Sequence, residues 1–437
     1  MDAYRLIRQD NPFPAVCGRV CTHPCERHCR RTQVDEPVSI CSVKRVAGDF
    51  ALKDELALPI ETPKAATGKK VAVIGAGPSG LSCAYYLAEL GHHVEVFEAE
   101  SVAGGVLYWG IPEYRLPNDV LMKEIRSIEK VGVEIHTNTR VGTDITMDQL
   151  QADFDAVYVA VGTQKSKALG VPGEDLPQVE SGLNFLRRVS LKGDHSIARR
   201  VVVVGGGSTA FDCARTAVRL GAEEVTVAYR RTVSEMPAGI DEVKEGQEEG
   251  VRLETLAAPV EVLSENGAVC GIRLQHMELG GFGRDGRRRP VPMENGEFVL
   301  PCECIITAIN QELDSTVFNS DENLEVNRFT SATQKEGVFV GGDANPWGAN
   351  IVIQAIADGK RAASSIDRYL GGSGELYKGE EIEIPSIPED DVEEHPRYPV
   401  KVLPAEERCK NFDEVVCGYH RLDAMAESLR CLHCDRR

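Results

Sequence analysis

No apolar run in the 437-residue chain is long enough to span a bilayer, and the opening MDAYRLIRQDNPFP lacks the apolar stretch of a secretory signal. The expectation is a chain that is neither membrane-spanning nor exported, held in the reducing cytoplasm. Positive charge is also scarce: 49 basic residues against 68 acidic ones leave a formal charge of -19. That balance excludes nucleic acid and anionic lipid as main partners. Low-complexity sequence is absent, and 27% charged with 42% hydrophobic residues is an ordinary globular composition. No pair of catalytic acid and base residues stands out, so the chemistry is sought in bound cofactors.

What the chain does have is length for two or three domains and 14 cysteines. The cysteines cluster at the two chain ends without an export signal, which favours metal or cluster ligation over disulfides. Cys83, Cys213, Cys270, Cys302 and Cys304 sit mid-chain in apolar patterns and read as small buried hydrophobes.

KKVAVIG (69–75) reads as a buried strand stopped by glycine, followed by the helix pattern PSGLSCAYYLAELG and a second strand, HVEVFEAE. Gly75, Gly77 and Gly80 form a dinucleotide-binding fingerprint: one glycine for the tight turn, one for close approach of backbone to pyrophosphate, one for packing helix on strand. The helix opening at Pro78 and Ser79 aims free N–H groups and its positive end at the phosphates. Glu98 ends the second strand 23 residues after Gly75, where a carboxylate accepts hydrogen bonds from an adenosine ribose.

RRVVVVGGGSTAFDCARTAVRLGAEEVTVAYRR (199–231) repeats the order strand, turn, helix, strand, with Gly205 standing 130 residues after Gly75. Here Gly205, Gly207 and Ala210 make the fingerprint, and Ser208 and Thr209 open the helix. The second strand ends differently. Tyr229, Arg230 and Arg231 replace the ribose-binding acid, and guanidinium groups bind a 2′-phosphate that a carboxylate would repel, with an aromatic or Arg face available to stack on adenine. NADP(H) is expected over NAD(H); the alternative is a solvated basic edge of the sheet. Further buried strands are expected at DAVYVAVGT, ECIITAINQ and EGVFVGGDA, and an amphipathic helix at IVIQAIADGKRAASSIDRYL.

Together with GGVLYWGIPEYRLP (104–117), VPGED (171–175), YRR followed by EMPA (235–238) and VGGDA (340–344), these motifs resemble the small (beta) subunit family of glutamate synthase along most of the chain. The resemblance implies an α/β protein of two nested Rossmann-like, glutathione-reductase-like dinucleotide-binding domains behind a small helical, Cys-rich iron-sulfur segment. It implies FAD in the outer fold, NADPH in the inserted one, and electron traffic to iron-sulfur clusters. By position, Gly105 and Leu107 are expected near the flavin, Gly342 and Asp343 at its ribityl-phosphate region, and the helix starting at Ile351 and Val352 at the pyrimidine end of the ring. The expected segments are 1–52 for iron-sulfur, 53–69 as linker, 70–195 for the first part of the FAD fold, 196–312 for the inserted NADP(H) fold, 313–372 for the return, and 373–437 for an acidic, Pro-rich tether with a Cys-containing tail.

Cys17, Cys21, Cys25 and Cys29 recur every fourth residue, with Cys41 further on. Such density suits a [4Fe-4S] cluster, and zinc also accepts four thiolates; the flavin neighbour favours iron-sulfur, because zinc has no redox role. In the family, an Arg-Cys-Leu-x-Cys pattern precedes the segment that here opens the chain. In this sequence that pattern stands at Arg430–Cys434. Cys431 and Cys434 are candidates to join a centre with the N-terminal cysteines, with Cys409 and Cys417, or at a subunit boundary; the alternative is a reduced, frayed tail.

The expected activity is that of an NADPH-dependent flavin and iron-sulfur oxidoreductase subunit in a hydrogenase, formate dehydrogenase, transhydrogenase or glutamate synthase type of complex. Two other readings are a dithiol reductase of the thioredoxin-reductase kind, for which the one Cys-x-x-Cys pair is Cys431 and Cys434, and a non-catalytic assembly subunit that retains FAD.

Overall fold

A computed structural model describes residues 1–53, 63–283, 286–313, 325–348, 351–376 and 393–434. Two parallel five-stranded sheets dominate it. In the first, strands follow the spatial order Val338–Val340, Ala156–Val159, Lys70–Ile74, His93–Phe97, Val133–His136. The second repeats that arrangement with Val179–Ser181, Cys304–Thr307, Arg200–Val204, Glu224–Tyr229 and Arg252–Thr255. The fingerprint strands are central in both and buried on both faces, as parallel strands covered by helices must be. Strand Val338–Val340 rejoins the first sheet after the whole second one, so the second fold is nested in the first.

The second fold begins before residue 196. Strand Val179–Ser181 pairs with Cys304–Thr307, and the helix Gly182–Lys192 places Phe185, Leu186 and Val189 in the core of the inserted fold. These elements belong by burial to the second domain although they precede its fingerprint. A three-stranded antiparallel sheet, Ala257–Glu265, Ala268–Phe282 and Arg288–Pro301, interrupts the inserted fold before its last strand.

The N-terminal segment is helical, as expected, with helices Asp2–Arg8 and Pro14–Val20 ahead of Ile40–Leu52. Pro14 opens the second of these at a position where its missing N–H costs nothing. Gly18 and Gly48 let it nest on Ile40–Leu52: a methyl on Gly18 would lie 2.5 Å from Arg45 Cβ, and one on Gly48 2.6 Å from the Ala15 nitrogen. Glu124, from the outer-domain helix Asn118–Glu129, accepts the Ala15 and Val16 N–H groups at 2.8 and 2.9 Å and so caps Pro14–Val20 from across the domain boundary.

The tail docks on the same segment. Arg430 donates to Asp35 at 3.0 Å and to the Glu36 carbonyl at 2.7 Å, and Arg397 pairs with Glu26 at 2.8 Å. Most of the expected acidic tether, 377–392, and part of the linker, 54–62, lie outside the described residues. No helix among the described residues is long and apolar enough to cross a membrane.

Candidate functional site

A cavity of about 570 Å³ opens on the first fingerprint, a volume typical of cofactor sites. Gly75 holds φ +99°, and a side chain on it would meet the Ala160 carbonyl at 2.7 Å. Gly77 faces open space, which leaves its backbone approachable. A methyl on Gly80 would stand 2.0 Å from the Gly75 oxygen, so only glycine brings the helix Pro78–Glu89 this close to its strand. Pro78 and Ser79 line the cavity at the helix start.

Glu98 lines the same cavity and accepts the Ala76 and Glu100 N–H groups, both at 2.8 Å, one on each oxygen. Burial raises its carboxyl above the ordinary value against the pull of those N–H groups. Gly105 and Gly342 adopt φ +56° and +62° and bring their backbones against Gly77 and Ser79. Asp343 also lines the cavity, and burial beside Asp358 pushes it up to about 6. Leu107 instead packs in the apolar core beneath the site. Ile351 is the N-cap of the helix Val352–Tyr369, where Val352 packs on that core and Ala355 reaches the cavity. Gly359 escaped the sequence reading. A methyl there would lie 2.3 Å from the Ser79 carbonyl, so this glycine seats the return helix on the fingerprint helix; a lone glycine in a helical run is the signal that points to it.

The second fingerprint reproduces the geometry. A side chain on Gly205 would meet the Ala308 carbonyl at 2.2 Å, Gly207 faces open space, and Ala210 is fully buried. Ser208 donates to Glu242 at 2.9 Å, and Thr209 is half-buried beside it. The Tyr-Arg-Arg triplet does not act as a unit. Tyr229 packs beneath the turn, its ring within 2.5 Å of where a Gly206 side chain would begin, and its hydroxyl donates to the Glu235 carbonyl at 2.8 Å. That burial removes it from any exposed adenine-stacking face. Arg231 is buried and donates from Nε to the Arg288 carbonyl at 2.6 Å. Arg230 is exposed and makes no ion pair among the described residues.

Arg115 bolts the two folds together. It reaches both oxygens of Asp212 at 2.8 Å and Glu242 at 2.7 Å, next to Ser208 of the second fingerprint. Tyr114 lies under the Arg219 guanidinium, 3.8 Å from the ring centroid, and Glu249 gathers Arg215, Arg219 and Arg408 at 2.7, 2.6 and 2.9 Å.

At the N-terminus Cys21, Cys25 and Cys41 are close enough to perturb one another's thiols, with the Lys44 ammonium nearby. The Cys41 thiol draws Cys21 down to about 6 and Cys25 to about 7, while Cys41 itself is held well above an ordinary thiol. Cys17 is fully buried beside them, its thiol 3.7 Å from Asn11 and pushed up to about 12 by desolvation. His23 and Glu26 offer further ligand atoms within 4.8 Å of Cys41. Cys29, at the start of the 30–33 turn, makes no thiol hydrogen bond among the described residues. Cys431 is exposed and Cys434 half-buried, beyond the anchored Arg430. The mid-chain Cys83, Cys213, Cys302 and Cys304 are buried and their thiols raised by desolvation, so Cys213 offers no reactive dithiol beside the second fingerprint; Cys270, expected to be buried with them, is exposed.

The pyridine nucleotide-disulphide oxidoreductase family matches residues 69–360, both fingerprints included. The chain belongs to that family. A second match, dihydropyrimidine dehydrogenase domain II, 4Fe-4S cluster, covers residues 1–56 and thus the cysteine nest. This is therefore an oxidoreductase with sites for FAD and a pyridine nucleotide and an N-terminal [4Fe-4S] domain. Relatives include the NADP(+)-dependent formate dehydrogenase subunit beta of Moorella thermoacetica, 42% identical over all of this chain and 67% of its own length. The NADPH-Fe(3+) oxidoreductase subunit beta of Geobacter sulfurreducens is 39% identical over 99% of this chain and 71% of its own. The glutamate synthase [NADPH] small chain of Escherichia coli is 35% identical over 84% and 83%. In fold the chain is similar to Mycobacterium tuberculosis FprA in complex with NADPH, at TM-score 0.61 and 19% identity over 69% of this chain and 84% of that one.

Proposed function

We propose that this chain is the NADP(H) port of a larger redox assembly. The Gly205–Ala210 turn and Arg230 would hold NADPH and its 2′-phosphate, the cavity at Gly77 would hold FAD, and the N-terminal cysteines would hold the iron-sulfur centres that accept the electrons. FAD supplies the conversion from a two-electron hydride donor to one-electron carriers. The residues bind and orient: Glu98 takes the ribose, the Pro78–Glu89 helix start takes the pyrophosphate, and Asp343 and the start of Val352–Tyr369 face the flavin end.

The observation that carries this reading is continuity of the core. Cys17, Cys21 and Cys41 lie in one apolar cluster with Leu81, Leu107 and Ala160, the last of which lines the cofactor cavity. The cysteine nest is thus built onto the outer fold with no intervening solvent layer. We assign Cys21, Cys25 and Cys41, with Cys17 beside them, to one [4Fe-4S] centre. Cys29, Cys431 and Cys434 stand outside that nest and are assigned to a second centre closed by the docked tail.

Two relatives that cover all or nearly all of this chain are beta subunits, and the Geobacter and Moorella proteins carry NADPH or NADP(+) in their names. The same arrangement is inferred here, with a partner chain in the cytoplasm performing the final substrate chemistry. Anaerobically purified protein tests the scheme by flavin, iron and sulfide content and by copurifying chains. About four irons and four sulfides per cluster, and flavin bleached by NADPH faster than by NADH, are expected. Stoichiometric zinc without sulfide, or a flavin unmoved by NADPH, overturns it. Deleting the residues after Glu427 should lower the iron count; an unchanged count removes the tail from the ligand set.

A further inference from the structure

One cation in the cofactor cavity of the outer fold comes from the wrong domain. Arg187 sits on the helix Gly182–Lys192, whose opposite face buries Phe185, Leu186 and Val189 in the inserted fold, yet its side chain lines the cavity together with Gly77, Ser79 and Glu98. Its guanidinium carbon stands over Trp109, 4.1 Å from the ring centroid. Nη2 donates to Gln164 at 2.6 Å. Nε is buried and has no hydrogen-bond partner, the Glu100 oxygen at 3.8 Å being too distant for one.

A buried guanidinium donor left unsatisfied is costly, and native sites keep such groups where a ligand completes them. Arg140 and Lys165, the other cations lining this cavity, are both exposed. Trp109 and Gln164 hold the planar fork of Arg187 in place before any ligand arrives, which suits it to a phosphate pair rather than to a neutral ring. Glu98 and the helix start divide the cavity between ribose and pyrophosphate, and the anionic portion is the part that calls for a cation.

We infer that Arg187 is a binding residue for the FAD pyrophosphate, contributed across the domain boundary by the inserted fold. This rests on reading the cavity as the FAD site. It makes flavin retention depend on where the inserted fold sits: a swing of that fold away from the outer one has to release this contact together with the Arg115 bolt.

The test is the rate of flavin release from the holoenzyme on dilution, followed by the rise in free-FAD fluorescence. Arg187→Gln is expected to release FAD about 10- to 100-fold faster, the range of a lost charge-assisted hydrogen bond. Arg187→Lys should fall between it and the parent. Arg188→Gln, next in sequence but paired with Glu180 at 2.8 Å, should leave the rate unchanged. The direct affinity of FAD-stripped protein for ADP, which carries the pyrophosphate, should fall in Arg187→Gln, while that for riboflavin, which lacks phosphate, should be unchanged. Unchanged FAD release in Arg187→Gln overturns the inference, as does an equal loss of ADP and riboflavin. Gly77→Val separates the two levels of the claim, because it fills the cradle itself. If Gly77→Val loses FAD and Arg187→Gln does not, the role of Arg187 fails alone; if neither loses FAD, the cavity reading fails with it.

Discussion

The outer and inserted folds carry the same fingerprint on the same strand order, yet they solve two problems differently. At the third fingerprint position the outer fold has Gly80, where a methyl would stand 2.0 Å from the Gly75 oxygen, and the inserted fold has the fully buried Ala210. The inserted helix is therefore set back far enough to admit one carbon more. Buried acids differ as well. Glu98 in the outer fold is served by backbone N–H groups and its carboxyl is raised by burial, while Glu249 in the inserted fold is surrounded by three arginines and held down to about 2 despite its burial. One acid lines the cavity; the other is a structural hub. The lesson is that a shared motif fixes the backbone turn and leaves the charge around it free to vary.

The largest expected effect tests that hub. Glu249→Gln leaves Arg215, Arg219 and Arg408 without their common anion and should cost about 3–5 kcal/mol in chemical denaturation. Because the folded-state value of Glu249 is depressed, its contribution is fully present above its ordinary 4.5 and is lost as pH falls through about 2. The parent should therefore lose stability across that acid window faster than Glu249→Gln does. Parallel acid profiles would remove the hub from the account.

Next comes the close approach of helix to strand. Gly80→Ala forces a methyl against the Gly75 carbonyl and should cost about 1–3 kcal/mol, with loss of bound flavin. Thermal melts and flavin content measure it, and a variant as stable and as yellow as the parent would dissolve the contrast with Ala210.

Arg230→Ala should raise the KM for NADPH about tenfold or more, the scale of a charge-assisted hydrogen bond to phosphate, and leave that for NADH nearly unchanged. Equal changes for both nucleotides would relieve Arg230 of the 2′-phosphate. The smallest effect belongs to Ala210→Gly, which removes one buried methyl and should cost about 1 kcal/mol through helix propensity. A larger loss than that of Gly80→Ala would invert the comparison between the folds.

Much of this was legible in the sequence because the fingerprints are local. Gly75, Gly77 and Gly80, the acid 23 residues on, and the repeat at Gly205 all lie within single strand-turn-helix units. The strands at Ala156–Val159, Cys304–Thr307 and Val338–Val340 announced themselves as short apolar runs. What escaped depends on contacts between distant segments. The inserted fold starts at Val179, ahead of its own fingerprint, because strand order and not sequence order decides membership of a sheet. The place of Tyr229 under Gly206 is set by tertiary packing, which the strand-end triplet by itself does not show. Arg187, Arg115 and Arg408 gave no local signal, since an arginine that bridges domains has the same neighbours in sequence as one in solvent. The tail joined to Asp35 and Glu36 was foreseen only as one of several arrangements.

The central claim is that the cysteine nest receives electrons from the cavity at Gly77. Its most direct test is an anaerobic titration of iron-loaded protein with NADPH, followed at once by flavin absorbance and by electron paramagnetic resonance, in the parent and in Cys21→Ser. The account predicts that NADPH bleaches the flavin in both and that a reduced-cluster signal present in the parent is weakened or absent in Cys21→Ser. Flavin bleaching in the parent with no cluster signal at any NADPH excess would contradict it.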